Sequence, residues 1–169
     1  MGDCAVHLRA GRGGREIRAV TSDDYFKAYA GHPEITDEIQ ANTEELVGKV
    51  NDLLAYAEAG GWESEINPST GTLVSGQKNG GFRPSDTSVG AAKSAHKRGQ
   101  AVDIYDPQRK LASWCMSNLD RLRDIGLHME DTRWTPTWVH LQSVPPSSGK
   151  LVFVPSSSPP MVKEPPQWA

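Results

Sequence analysis

Two short segments of the 169-residue chain carry residue types suited to holding a metal ion: Ser94-Ala-His96-Lys-Arg-Gly99-Gln-Ala101-Val-Asp103 and, farther along, Trp138-Val-His140. Two imidazoles and a carboxylate on separate segments can bind zinc through three protein ligands and leave a fourth position open. That count describes a catalytic zinc, whereas four protein ligands describe a structural one. The remaining histidines lack such spacing. His7 lies in a Gly/Arg-rich lead-in and His32 precedes Pro33 in a turn, so both read as ordinary. His128, which follows Gly126-Leu127 beside Glu130, is close enough in sequence to the final strand to line the site without binding metal.

The elements that must position these groups follow from periodicity. From Thr36 the apolar residues Ile39, Leu46, Val50, Leu53, Leu54 and Ala57 fall at helical spacing, and Gly60-Gly61 closes the helix. Asn67 to Pro84 is rich in Gly, Asn, Ser and Pro and reads as loop around a strand-like Thr72-Leu73-Val74, a length that usually serves a site. Ala101 to Tyr105 alternates apolar and polar residues, so it reads as a strand, with His96 in the turn before it. Leu111 to Ile125 reads as a second helix ending at Gly126. Trp138 to Leu141 is a further strand, and Leu151 to Val154 another. Side chains alternate along a strand, so Asp103 faces away from Val102 and Ile104 while His140 shares a face with Trp138 and Gln142. Pairing the two strands brings Asp103 and His140 together on one polar face. The expected fold is α+β, with a small central antiparallel sheet, packed helices and the zinc site on the sheet face.

Composition limits what such a site can serve. At 37% hydrophobic residues with five Trp, the chain supports one domain with a real core. The expected organisation is a flexible Gly/Arg-rich segment over 1–20, a zinc-site domain over 21–154 and a Pro/Ser-rich extended tail over 155–169. The net charge of −3 gives no drive toward nucleic acid or an anionic membrane. Arg9, Arg12, Arg15 and Arg18 are too few to make a nucleic-acid arm the favoured reading. Cys4 and Cys115 form neither a disulfide framework nor a zinc ribbon, and Cys115 between Trp114 and Met116 reads as a buried small hydrophobe. No run reaches the roughly 18 apolar residues of a membrane span, and the first residues lack the apolar core of a secretory signal. A monomer made in the cytoplasm is therefore expected.

The pattern Ser94-x-His96-x-x-Gly99-x-Ala101-x-Asp103 followed by Trp138-x-His140 resembles the zinc peptidases of family M15. That is the D-Ala-D-Ala carboxypeptidase and phage endolysin group, which is related to lysostaphin and to the hedgehog signalling domain. Phe82-Arg83-Pro84 matches the Arg-Pro pair this family carries upstream of its zinc motif, and the resemblance spans roughly residues 35–154. It implies a hedgehog-like fold, one zinc ion on His96, Asp103 and His140, and a peptidoglycan peptide as substrate. Arg83, Ser94 and Trp138 would contact that substrate, Arg83 through the planar fork that suits a carboxylate or carbonyl.

The chain departs from the family at Thr137, where many members place an acidic general base three residues before the last His. A hydroxyl is not basic near neutral pH. Glu130 is the favoured replacement and Asp131 its rival, a turn role being the alternative for Asp131. A zinc held in this way brings the pKa of its water to about 7 and polarises the scissile carbonyl, while Glu130 accepts and returns the proton and His128 assists. The implied bond lies in the wall stem peptide or a cross-link. The implied setting is a phage enzyme released from the host cytoplasm at lysis or carried in the virion. A non-catalytic zinc-stabilised binding or phage structural domain of the same fold is the competing expectation.

Overall fold

A computed structural model describes residues 18–91, 93–155 and 160–161. Four α-helices are present among them: α1 (Ser22–Phe26), α2 (Asp37–Ala59), α3 (Lys110–Ser117) and α4 (Leu119–Ile125). A four-stranded sheet is built from β1 (Ala101–Tyr105), β2 (His128–Glu130), β3 (Trp138–Gln142) and β4 (Val152–Phe153), in the order β1-β3-β2-β4. The fold is α+β. No helix among the described residues is long and apolar enough to cross a membrane.

Strand alternation decides the two faces of the sheet. Val102, Ile104, Met129, Val139 and Leu141 are fully buried in a core shared with Leu46, Val50, Leu53 and Leu54 of α2 and with Leu111, Cys115 and Leu122 of α3 and α4. The opposite face carries Asp103, Tyr105, Glu130, Trp138, His140 and Gln142. Helix α2 starts where Thr36 caps it by accepting the backbone N–H of Ile39, and Asp37 and Glu38 favour its positive N-terminal end. Ahead of it, Thr21 and Asp24 close a reciprocal capping box on α1.

Three expectations are corrected. The sheet is mixed, not purely antiparallel: β1 and β2 run antiparallel to β3, but β4 runs parallel to β2. The chain leaving β3 at Gln142 turns back past the start of β2, opposite His128, before β4 begins, so β4 shares the direction of β2. The helix read over Leu111–Ile125 is two helices, broken at Asn118, whose side-chain amide donates to the Trp114 carbonyl and whose φ of −131° is not helical. Asn commonly competes with the helix ladder in this way. Val20, assigned from sequence to the lead-in, is buried and exchanges two hydrogen bonds with the Asn51 side chain. The remainder of the lead-in, 1–17, and most of the 155–169 tail lie outside the described residues.

Gly48 sits on the exposed side of α2 with nothing within 4 Å of a Cβ placed there. Gly48→Ala is therefore expected to raise stability by up to about 1 kcal/mol through helix propensity alone. Thermal unfolding checks this, and no rise in Tm would mean the position is constrained by something other than backbone freedom.

Candidate metal centre

Register places the first two groups. In the β1/β3 ladder Asp103 lies directly opposite His140, so their side chains leave the sheet together on its polar face. His96 arrives from outside the sheet, on a 3-10 turn over Ala95–Arg98 that ends at Gly99. Gly99 has a φ of +73°, and a Cβ there would lie 2.5 Å from the Ile39 carbonyl oxygen and 2.6 Å from Thr43 Oγ1. Only glycine lets this turn press so closely on α2. Tyr25, whose hydroxyl burial pushes far up, donates from that hydroxyl to the His96 carbonyl at 3.3 Å and ties the turn down from the other side.

The three side chains then meet. His96 Nε2 lies 3.3 Å from His140 Nδ1 and 3.4 Å from Asp103 Oδ1, and His140 Nδ1 lies 2.8 Å from Asp103 Oδ1. Bonds of about 2.0–2.1 Å at tetrahedral angles put neighbouring ligand atoms about 3.3 Å apart, so two edges of this triangle already have the size a zinc ion needs. His96 is 1% exposed, Asp103 6% and His140 8%, which puts the group in the protein but within reach of its polar sheet face.

Protons decide what this triangle wants. His96 Nδ1 is 2.8 Å from the Gly81 carbonyl, which can only accept, so the proton is on Nδ1 and Nε2 presents a lone pair to the centre. Asp103 also presents a lone pair. Burial would raise its pKa, but the two histidines around it, His140 at 2.8 Å above all, outweigh that and keep it below the usual carboxylate range. Burial lowers His96. The same burial acts on His140, yet the hydrogen bond and charge of Asp103 outweigh it and raise its pKa. Acceptors facing one another across about 3 Å repel unless a cation lies among them. A proton on His140 satisfies the edge to Asp103. A metal ion satisfies all three atoms, and the residues present fit one.

Arg83 is not directed away toward solvent. Its Nη2 donates to Asp103 Oδ2 at 3.1 Å, its Nε donates to the Asn79 carbonyl at 2.6 Å, and its Nη1 runs against Gly90. It thereby holds the second carboxylate oxygen while Oδ1 faces the histidines. Ser94 stands at the start of the His96 turn without a side-chain cap bond and is half-buried, near Gly90. Trp138 is half-buried opposite Tyr105, on the same face as the centre.

Glu130 and Asp131 differ sharply. Extending the β2/β3 register one step beyond Met129–Leu141 sets Glu130 opposite His140 on the polar face. No hydrogen bond or ion pair engages its carboxylate among the described residues. Burial pushes its pKa up to about 7, opposed by the nearby His140 charge and reinforced by Asp103. Asp131 instead takes two charged hydrogen bonds from Arg133, at 2.9 and 2.6 Å, and accepts the Arg133 backbone N–H in a turn. That hydrogen bonding keeps its pKa low. His128 faces Gln142 across the ladder, with Nδ1 donating to the Lys150 carbonyl at 3.1 Å. Thr137 is exposed in the turn before β3, its carbonyl accepting the Asp106 N–H.

Gly81, Asn79, Tyr25 and Gln142 support the centre without having been singled out from sequence. Gln142 alone carried a usable signal, since it lies two residues beyond His140 on the same strand face. The others act through backbone carbonyls or over long sequence distances. Comparison of the chain with protein-family models, with curated proteins and with solved structures returns no match, so the reading of this centre rests on its own geometry.

Proposed function

We propose that this chain is a zinc-dependent peptidase that hydrolyses a peptide bond in the stem or cross-link of bacterial peptidoglycan, with a hedgehog-like arrangement around one zinc ion held by His96, Asp103 and His140. The observation that carries the reading is the pairing of a buried three-acceptor centre with a carboxylate, Glu130, that no other described side chain engages, that lies across from His140 and that burial pushes up to about 7. A purely structural site has no use for such a base. When bound, zinc supplies an acidified water and a Lewis acid for the scissile carbonyl.

The residues of the chain do the rest. Glu130 takes the proton of the attacking water and returns it to the leaving amine, the two halves of acid–base peptide hydrolysis. Arg83 holds Oδ2 of Asp103 and leaves Oδ1 to the histidines. Trp138 and Tyr105, paired across the ladder, form an aromatic margin along the same face, against which a peptide can lie. The chain order of Arg83, His96, Asp103 and His140, which resembles the wall-peptidase group, supports the choice of substrate.

Purified peptidoglycan incubated with the chain is expected to release new amino groups, with release stopped by a chelator and restored by zinc. Mass analysis of the fragments identifies the bond. A chain that binds zinc but releases nothing under any metal condition would be a non-catalytic domain of this fold, and the peptidase reading would fall.

A further inference from the structure

His140 faces the centre with Nδ1, the ring nitrogen nearer its own backbone, and the other ring nitrogen has a partner that decides its chemistry. His140 Nε2 is 3.3 Å from Gln142 Oε1, and Gln142 Nε2 donates to the Val144 carbonyl at 2.7 Å. The second contact removes the ambiguity of the first. A carbonyl can only accept, so the amide nitrogen of Gln142 must point at Val144 and its oxygen must point at His140. An oxygen facing Nε2 requires the proton there. In the neutral ring Nδ1 is then the lone pair, pointing at Asp103 Oδ1 and His96 Nε2, and a metal ion bound there takes the place of the proton shared with Asp103.

We infer that Gln142 is a positioning residue that selects Nδ1 of His140 as the metal-binding nitrogen, through a relay from the Val144 carbonyl to the centre. The inference rests on the reading of His96, Asp103 and His140 as a metal centre and is independent of what the centre hydrolyses. The strand supplies the geometry, since residues 140 and 142 share a face of β3 and the ladder sets Gln142 opposite the small Ala101. The amide is 7% exposed, so it has little water to turn to and is held to these two partners. The arrangement mirrors the other histidine, whose Nδ1 is fixed by the Gly81 carbonyl. Each imidazole thus has one nitrogen tied to an oxygen acceptor and the opposite nitrogen released to the centre, His96 through Nε2 and His140 through Nδ1.

The test uses the full chain and zinc itself. Nitrogen NMR of the zinc-loaded protein is expected to show His140 metallated at Nδ1 and protonated at Nε2. A metallated Nε2 overturns the inference without any variant. Zinc affinity, measured by competition with a chromophoric chelator, is expected to fall roughly 10- to 100-fold in Gln142→Leu. In Gln142→Glu, which keeps an acceptor for the Nε2 proton although it loses the donor to Val144, affinity is expected to stay within a few-fold of the parent. A purely structural role for Gln142 predicts the reverse pattern, with Gln142→Glu losing stability and Gln142→Leu binding zinc normally. Unchanged affinity in a folded Gln142→Leu therefore overturns the relay. A parent chain that binds no zinc at all overturns the metal reading itself, which separates the two failures.

Discussion

Glu130→Gln is expected to lower peptidoglycan hydrolysis by roughly 100- to 10,000-fold, the range that positioned acid–base catalysis contributes, while the bound zinc remains unchanged. The amide keeps the shape of the carboxylate and none of its basicity. Activity of the parent should climb with pH as Glu130 loses its proton, because a general base acts only when ionised. In the metal-free chain that ionisation falls near 7. A divalent cation nearby favours the anion, so the acidic limb of kcat/KM is expected at or below 7 and should disappear in the variant.

The same substitution should make the metal-free protein more stable. A carboxyl that titrates near 7 when folded and near 4.5 when unfolded has its anion disfavoured by folding. Its contribution is nil below about 4.5, becomes unfavourable as pH rises through that window, and levels at about 3 kcal/mol above 7. Glu130→Gln removes it, so parent and variant should match near pH 4.5 and separate at pH 8, with the variant the more stable. Losing activity while gaining stability is the mark of a residue kept for chemistry. Asp131→Asn should behave oppositely, with activity retained and a small stability loss from the broken Arg133 pair. Chelated protein unfolded in denaturant at both pH values, together with turnover of the zinc-loaded forms, decides the matter. If Asp131→Asn abolishes turnover and Glu130→Gln does not, the base is misassigned.

What could be read in advance has a physical pattern. Asp103 and His140 lie on strands whose alternating residues declare their faces, so their meeting on one polar face follows once the two strands are neighbours. The ladder Asp103↔His140 agrees with that parity, while its direction and register come from the structure. The long helix α2 was equally plain, because its apolar stripe and its Thr36 cap are local signals. The direction of β4 was not legible, since it depends on the path of the loop after β3, and no residue in Val152–Phe153 encodes it. The break at Asn118 had a local cue in the asparagine, but the apolar spacing through Leu119 and Leu122 masked it. Arg83 shows the limit most clearly. Its type suggested a substrate clamp, and no spacing rule showed that its guanidinium also contacts Asp103, twenty residues on, and the Asn79 carbonyl.

Backbone carbonyls are the least legible part of the centre, and Gly81 tests how much they matter. Its carbonyl orients His96, while the chain there passes so close to the first helix that an added Cβ would lie 2.0 Å from the Tyr25 carbonyl oxygen and 2.9 Å from its carbon. The obstacle is backbone, not the flexible end of a side chain, and that same oxygen accepts the Phe82 N–H at 3.1 Å. Relief must therefore move either the site loop or the α1 region. Gly81→Ala is expected to lose about 3 kcal/mol or more, roughly 6 to 12 °C in Tm for a chain of this size. The carbonyl that holds His96 Nδ1 moves with it, so zinc should also raise Tm less in the variant than in the parent, because ligand stabilisation scales with affinity. Gly48→Ala, with free space around its Cβ, is the control of opposite sign. Were Gly81→Ala to unfold at the parent temperature with an undiminished zinc response, the close approach to Tyr25 would have no energetic consequence, and the orientation of His96 would have to come from Asp103 and the 3-10 turn alone.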